Sequence, residues 1–144
     1  MIPENTNIST SEDTLSIKEL VDEFTSRKET IVTSYNVKSR KNEETIVVST
    51  RRSNTHDLVF IETDYDEVKL IVTHDQRVFI KNKQQFIRPE KIHTSDQLQH
   101  VDGIEVNVVK IHKIKNTLSD QVYTLVVDKN QNFFANDILI HNND

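Results

Sequence analysis

The sequence predicts an all-β domain that carries one short α-helix. From residue 30 onward, short runs rich in β-branched and aromatic residues recur between polar breaks, which is typical of strands. Only residues 16–26 place apolar side chains at helical spacing. The length of 144 residues fits one domain, and the sequence contains no repeat, heptad pattern or low-complexity segment.

The composition excludes several classes of protein. Without cysteine, the chain has no disulfides, thiolate metal sites or thiol catalysis. Its 18 basic and 23 acidic residues give a net charge of -5, which argues against a protein that mainly binds nucleic acid. No apolar run approaches the roughly 20 residues that span a bilayer. We therefore expect a cytoplasmic monomer without a membrane partner and, because its six histidines lack metal-ligand spacing, without a cofactor.

The first strand and the helix can be placed near the N-terminus. Residues 1–10 carry β-branched side chains of one parity around a proline, which predicts a short irregular strand. Ser16 and Glu19 have the spacing of a capping box, so the helix should begin there. We expect it to end near Arg27 and Lys28, where cations suit the helix dipole. Because the chain has one glycine, Asn and Asp should occupy most left-handed turn positions.

Nine further β-rich runs follow the helix. They are residues 30–37, 44–51, 56–63, 67–73, 77–81, 84–87, 122–127, 132–135 and 138–141. The runs 67–73 and 77–81 should form a buried strand pair that holds the polar connection between them. Residues 93–103 are polar and should form an exposed loop that tolerates insertions or chain breaks. A change of parity between Val108 and Val109 predicts a bulge in a long strand.

The C-terminal run, residues 132–142, points to chemistry. A β-prone apolar segment places His141 and Asn142 almost at the end of the chain. An Asn side-chain amide can attack its own backbone carbonyl, close a succinimide and expel the following amine. A neighbouring His suits the protonation of the leaving nitrogen, because it titrates near neutral pH. The alternative interpretation is a polar tail behind a core strand.

Four stretches of the chain resemble the splicing motifs of inteins, in the same order and at similar spacing. They are residues 1–6, 73–76, 122–134 and 135–142. The resemblance implies a horseshoe-like, all-β Hint fold over residues 1–142, without a homing endonuclease. The chain is similar to cysteine-free inteins that use Ser as the nucleophile. Residues 143–144 would be a remnant of the downstream extein. The predicted loop 93–103 lies where related inteins carry an endonuclease or are split.

The partners implied are the flanking extein segments in cis, or a complementary split-intein fragment if the chain is a fused form of a split pair. A replication protein such as a DNA polymerase is the host that the resemblance suggests. The chemistry would be single-turnover autoprocessing rather than multiple-turnover catalysis.

The first two motifs depart from the family pattern. Met1 stands where the family has Ser or Cys, and a thioether has no proton to lose, so it cannot start an acyl shift. An alternative register would use Ser9 as nucleophile and Thr14 as its partner. Thr73 matches the Thr of the family's Thr-x-x-His motif, whereas Gln76 occupies the His position. Glutamine forms hydrogen bonds but cannot deliver a proton.

The later motifs depart from the pattern as well. Thr124 and Gln131 stand where the family has Asp and His, so uncharged hydrogen-bonding groups would tune the acyl transfers and polarise the final bond. Asn143 has no hydroxyl or thiol to receive the upstream segment. The resemblance implies acyl shift, transesterification and Asn cyclisation. In this sequence only cyclisation at Asn142 remains available, with His141 as the proton donor.

Two other classes of protein are weighed against this interpretation. A non-catalytic β-rich binding or assembly module, for instance a phage-type structural domain, would be unaffected by Asn142→Ala. A self-processing domain of the Hedgehog kind would not need the His-Asn end. The intein interpretation requires that Met1 and Asn142 lie close together in the fold, because its steps are intramolecular.

Overall fold

The computed structural model describes residues 1–142, which form twelve strands, one α-helix and one 3-10 helix. The strands are β1 (Ile2–Pro3), β2 (Asn7–Ser9), β3 (Thr14–Ser16), β4 (Ile31–Asn36), β5 (Lys41–Thr63), β6 (Lys69–Thr73), β7 (Val78–Ile80), β8 (Gln85–Ile87), β9 (Gln97–Gln99), β10 (Glu105–Val127), β11 (Asn132–Ala135) and β12 (Ile138–His141). They join in one sheet, so the prediction of an all-β domain is confirmed. Neither helix is long and apolar enough to cross a membrane.

The helix α1 (Ile17–Glu23) begins as predicted. The Ser16 hydroxyl accepts a hydrogen bond from the backbone N–H of Glu19 at 3.1 Å and contacts the Glu19 carboxylate at 3.0 Å. The predicted end near Arg27 and Lys28 is wrong. Phe24 takes an extended conformation and packs against the core, which ends the helix one turn earlier.

The N-terminal segment forms two short strands rather than one irregular strand. A turn closed by the hydrogen bond from Thr6 N–H to the carbonyl of Pro3 (3.1 Å) separates them. Strand β1 pairs with β10, and β2 pairs with β3 and β11. The first residues therefore lie beside the long strand β10 and close to the C-terminal strands.

Two 23-residue strands, β5 and β10, form the scaffold of the sheet. They run antiparallel along most of their length, and the predicted runs 44–51 and 56–63 are parts of the single strand β5. The register shifts between Val108 and Lys110, so the predicted bulge is confirmed. This scaffold pairs with β1 on one side and carries β6 on the other.

The predicted pairing of the runs 67–73 and 77–81 is wrong. Strand β6 pairs with β5, whereas β7 pairs with β8, β9 and β12. A tight turn, closed by the hydrogen bond from Gln76 N–H to the carbonyl of Thr73 (3.1 Å), redirects the chain between them. The turn thus leads from β6, on the scaffold, to β7, which pairs with the C-terminal strand β12.

The prediction that residues 93–103 form one exposed loop is also wrong. This stretch contains β9, which pairs with β10 and β7 and buries Leu98 completely. Asp96 is buried as well, and its carboxylate accepts a hydrogen bond from the backbone N–H of His93 at 2.8 Å. Only residues 93–95 and 102–103 within the stretch remain exposed.

Within residues 1–142, seven non-glycine residues have a positive φ. They are Arg40, Gln84, Ser95, Asn130, Gln131, Asn136 and Asp137. The prediction that Asn and Asp take most of these positions is wrong, since they account for three of the seven. Arg40 and Gln84 take this conformation in local turns, where the Arg40 N–H donates to the Asn36 carbonyl at 2.8 Å and the Gln84 N–H to the Lys81 carbonyl at 3.3 Å.

A small aromatic cluster supports the C-terminal strands. Tyr35, Phe79, Phe134 and Leu139 form it, apart from the main core of the sheet. The ring of Tyr35 packs against those of Phe79 at 6.1 Å and Phe134 at 6.5 Å between centroids. Aromatic pairs at these distances favour specific geometries, so the cluster fixes how β11 and β12 sit on β4 and β7.

Candidate active site

The structure brings Met1 and the C-terminal dipeptide to one place. The side-chain Oε1 of Gln76 accepts a hydrogen bond from the Met1 amino group at 2.9 Å. Its Nε2 donates to the carbonyl oxygen of His141 at 2.8 Å and to that of Arg77 at 2.9 Å. Gln76 is fully buried, so it is a fixed bridge between the two ends of the described chain. Met1 and Asn142 therefore lie close together, as the intein interpretation requires.

Thr73 holds Met1 from a second side. Its hydroxyl accepts a hydrogen bond from the Met1 amino group at 2.7 Å and donates to a carboxylate oxygen of Asp75 at 2.8 Å. The backbone N–H of Thr73 donates to the carbonyl of Met1 at 2.9 Å. The backbone of residue 1 is thus fixed at both its nitrogen and its carbonyl.

The electrostatics at Met1 disfavour a charged nitrogen. Burial lowers the pKa of the Met1 amino group to about 5, and the nearby Asp75 carboxylate opposes this only in part. The pKa of Asp75 is lowered even though burial acts in the opposite direction, because the Thr73 hydroxyl and the Met1 ammonium stabilise its charge. The place occupied by the Met1 nitrogen therefore suits an uncharged N–H, such as that of a peptide bond.

Gln131 binds Asn142 at two points. The backbone N–H of Asn142 donates to the carbonyl of Gln131 at 2.9 Å, and its side-chain Nδ2 donates to Gln131 Oε1 at 2.8 Å. Asn142 is 2% exposed, and no donor among residues 1–142 reaches its Oδ1. Gln131 has φ +56°, a left-handed conformation that costs a non-glycine residue about 1–2 kcal/mol. That conformation directs both its carbonyl and its side chain to Asn142.

His141 lies against the Asn142 carbonyl. Its Nδ1 is 2.8 Å from the Asn142 carbonyl oxygen and 3.2 Å from Nη2 of Arg77, and its ring meets that of Phe86 edge-on at 4.9 Å. An arginine side chain only donates hydrogen bonds, so its contact requires an unprotonated Nδ1. The contact with the carbonyl requires Nδ1–H instead. The two contacts therefore favour opposite states of the same nitrogen.

Thr124 lies near the N-terminal part of the site. Ile2 pairs with Tyr123 across β1 and β10, and this register, continued by one residue, places Thr124 opposite Met1. Thr124 is buried, and its hydroxyl donates to the carbonyl of Leu125 at 3.3 Å. Asn143, the position predicted to receive the upstream segment, lies outside the described residues.

The alternative register at Ser9 places its residues elsewhere. Ser9 lies in β2 and pairs directly with Thr14 in the hairpin that β2 forms with β3. The contacts with Thr73 and Gln76 are made by Met1. The structure therefore places Met1, and not Ser9, beside Thr73 and Gln76.

His74 does not join the site although it follows Thr73 directly. Its side chain is exposed, whereas Thr73 and Gln76 on either side of the turn are buried. The turn conformation sends His74 to solvent, so it cannot replace the histidine that the family has at position 76.

Three residues of the site were missed by sequence reasoning. Asp75 contacts Thr73, and Arg77 contacts His141. Both residues are adjacent to Gln76 in the sequence, and this adjacency could have indicated them. Asn132 is fully buried and bonds both backbone groups of Tyr35, at 2.8 Å to N–H and 2.9 Å to the carbonyl. Nothing local in the sequence indicates that partner, which lies 97 residues away.

Comparisons with solved structures identify this all-β architecture as the Hint fold of inteins. A bacterial intein-like domain from Clostridium thermocellum has a TM-score of 0.82 at 20% identity, over 98% of this chain and 97% of that chain. A DnaB intein from Synechocystis sp. PCC 6803 has a TM-score of 0.82 at 21% identity, over 99% of this chain and 98% of that chain. The transcription factor IIB Mvu mini-intein has a TM-score of 0.77 at 20% identity, over 99% of this chain and 100% of that chain. Neither a protein-family model nor a curated protein matches the sequence.

Proposed function

We propose that this chain is a protein-splicing domain, which excises itself from a longer polypeptide and joins the segments on either side. The observation that carries the proposal is the bridge by Gln76, which links the nitrogen of residue 1 to the carbonyl of His141. Splicing requires two distant peptide bonds to react in one place, and a rigid scaffold supplies the proximity that makes such intramolecular steps fast. The partners are the flanking segments in cis.

The N-terminal step is an acyl shift at residue 1. In an active form with Ser at this position, its Oγ attacks the preceding carbonyl carbon, a C–O bond forms, and the C–N bond to residue 1 breaks as its nitrogen takes a proton. In this structure Thr73 and Gln76 both accept hydrogen bonds from the free amino group of Met1, and either can accept the single N–H of a peptide bond at that place. Met1 has no proton to lose, so this sequence does not take this step.

The C-terminal step is cyclisation of Asn142. Its Nδ2 attacks its own backbone carbonyl carbon, a C–N bond closes the succinimide, and the bond to residue 143 breaks as the leaving nitrogen takes a proton. Gln131 accepts an N–H of the attacking amide and fixes its position. His141, with Nδ1 protonated, polarises the carbonyl oxygen of Asn142 at 2.8 Å, in addition to the proton donation predicted from the sequence.

The step between these two needs a nucleophile at residue 143. There a Ser, Thr or Cys side chain takes the acyl group from residue 1 and releases it later to its own amine. Asn143 has no such group, so in this sequence cyclisation is the step that remains. The alternative to splicing in cis is a split form, in which a complementary fragment supplies part of the sheet.

The decisive test restores both nucleophiles. We fuse different reporter proteins to the two ends of a chain carrying Met1→Ser and Asn143→Ser, and we expect mass spectrometry to detect the ligated reporters and the free domain. The same chain with Asn142→Ala is the control, and it should give no ligated product. If the double repair gives neither ligation nor cleavage, the chain is not a splicing domain, and a β-rich binding module becomes the better interpretation.

A further inference from the structure

A basic groove opens beside His141. Its volume is about 530 Å³, within the range of ordinary ligand sites. Four cationic side chains, one carboxylate and an aromatic ring contribute to its lining, those of Arg77, Lys83, Arg88, Lys91, Glu90 and Phe86. The whole chain carries a net charge of -5, so the groove is a local exception in an acidic protein.

The groove is continuous with the C-terminal part of the site. Arg77 and Phe86 line it and also contact the His141 ring, at 3.2 Å to Nδ1 and 4.9 Å between ring centroids. The Asn142 carbonyl oxygen lies 2.8 Å from the same His141 nitrogen that Arg77 approaches, so a polypeptide that continues past Asn142 begins near Arg77.

Two of the four cationic side chains in the groove, those of Arg88 and Lys91, are available to a ligand. Lys83 is engaged by the buried carboxylate of Asp96 at 3.4 Å. Arg88 and Lys91 form no salt bridge with any of residues 1–142. Both lie on the surface, where their side chains can turn toward a negatively charged group.

We propose that this groove binds the first residues of the polypeptide that follows Asn142, and that it selects acidic side chains there. The inference rests on the proposed splicing function and names a determinant of its downstream specificity. The sequence itself has Asp144 two residues after Asn142, which matches the charge of the groove. Binding the departing segment holds the bond after Asn142 in line with the Asn142 amide.

Charge reversal tests the proposal by kinetics. In a chain extended by a reporter protein after residue 144, Asp144→Lys should slow release of the reporter about 3- to 10-fold, and Arg88→Glu with Lys91→Glu should slow it similarly. Combining the changes on both sides should restore much of the rate, and high salt should erase the differences. Lys113→Glu with Lys115→Glu, two exposed cations on β10, is the matched control and should change nothing. Equal rates with Asp and Lys at position 144 would overturn the proposal.

A second measurement tests the groove without any cleavage. In a chain carrying Asn142→Ala, which cannot cyclise, Asp144→Lys should shift the backbone amide NMR signals of Phe86, Ile87 and Arg88. Unchanged signals at all three positions would overturn the proposal. If no variant releases the reporter but these signals move, the splicing assignment fails while the groove still binds the downstream segment.

Discussion

Gln131 and Asn142 are joined by two hydrogen bonds, one between their backbones at 2.9 Å and one from Asn142 Nδ2 to Gln131 Oε1 at 2.8 Å. The second bond holds the Asn142 amide nitrogen, which is the nucleophile in the proposed cyclisation. Gln131 is uncharged and has φ +56°, and it stands where the resemblance to inteins implies a histidine.

Replacing Gln131 by Leu should slow C-terminal cleavage roughly 10-fold. Leucine has a similar size but no acceptor, so the buried Asn142 amide loses its hydrogen bond, at a cost of about 1–3 kcal/mol. The rate is measured as release of a downstream reporter, with Gln131→Glu as the control because it keeps an acceptor oxygen. A rate for Gln131→Leu equal to that of the parent chain would refute the role assigned to Gln131.

Asn132→Ala should destabilise the fold by about 2–4 kcal/mol, because it leaves the buried N–H and carbonyl of Tyr35 without their partner. Denaturant unfolding of the two chains measures the difference. Asn116→Ala, which removes a half-buried asparagine of the β10 strand, is the comparison and should cost clearly less. A loss below 1 kcal/mol for Asn132→Ala, as for an ordinary surface position, would argue against the bidentate contact.

Gln76→Leu should lower the rate of the N-terminal acyl shift roughly 10-fold in a chain that carries Met1→Ser and an upstream reporter. The change removes a fixed acceptor from the nitrogen of residue 1, and such positioning groups act on the transition state. Cleavage induced by hydroxylamine measures the ester that forms. His74→Ala, its exposed neighbour, should leave the rate unchanged, and equal effects of the two substitutions would be inconsistent with the site.

In a chain that begins at Met1, stability should rise with pH between about 5 and 8. Burial lowers the pKa of the Met1 amino group from 8.0 to about 5, so in this window the unfolded chain binds more protons there than the folded chain. The full effect is on the order of 4 kcal/mol. Below pH 5 and above pH 8 this group adds no further pH dependence.

Urea unfolding across this pH range measures the effect, and an N-terminally acetylated chain is the control because it has no group that titrates there. The slope should be smaller in the acetylated chain. Identical slopes for the two chains would show that the amino group is not buried. Asp75 acts at lower pH, since its pKa is lowered in the folded state and its stabilising effect is lost only as the carboxylate protonates.

The all-β class and several local features of the fold were predictable from local patterns. Three features were predicted correctly: the capping box at Ser16, the bulge after Val108 and the β-rich runs. Each depends on residues that are close in sequence, so one sequence is enough to detect it. The motif positions Thr73, Gln76, Gln131 and Asn142 came instead from the resemblance to intein splicing motifs. Their closeness in space agrees with the resemblance that suggested them.

Errors arose where tertiary contacts decided the structure. The polar composition of residues 93–103 predicted a loop, yet Leu98 enters the core and the buried Asp96 carboxylate accepts a hydrogen bond from the His93 backbone N–H. The runs on either side of the Thr73 turn looked like a hairpin, but each pairs with a distant strand. Except for Arg77, the residues that line the basic groove lie between positions 83 and 91, and the sequence did not indicate that the fold places them beside His141.

The most direct test of the central claim is the intact mass of the domain released from a chain that continues past Asn142. Cyclisation predicts that the freshly released fragment ends in a succinimide, lighter by one water than the hydrolysed product, and that Asn142→Ala releases nothing. A fragment with the mass of the hydrolysed Asn142 from the outset, or equal release from the Asn142→Ala chain, would contradict the account.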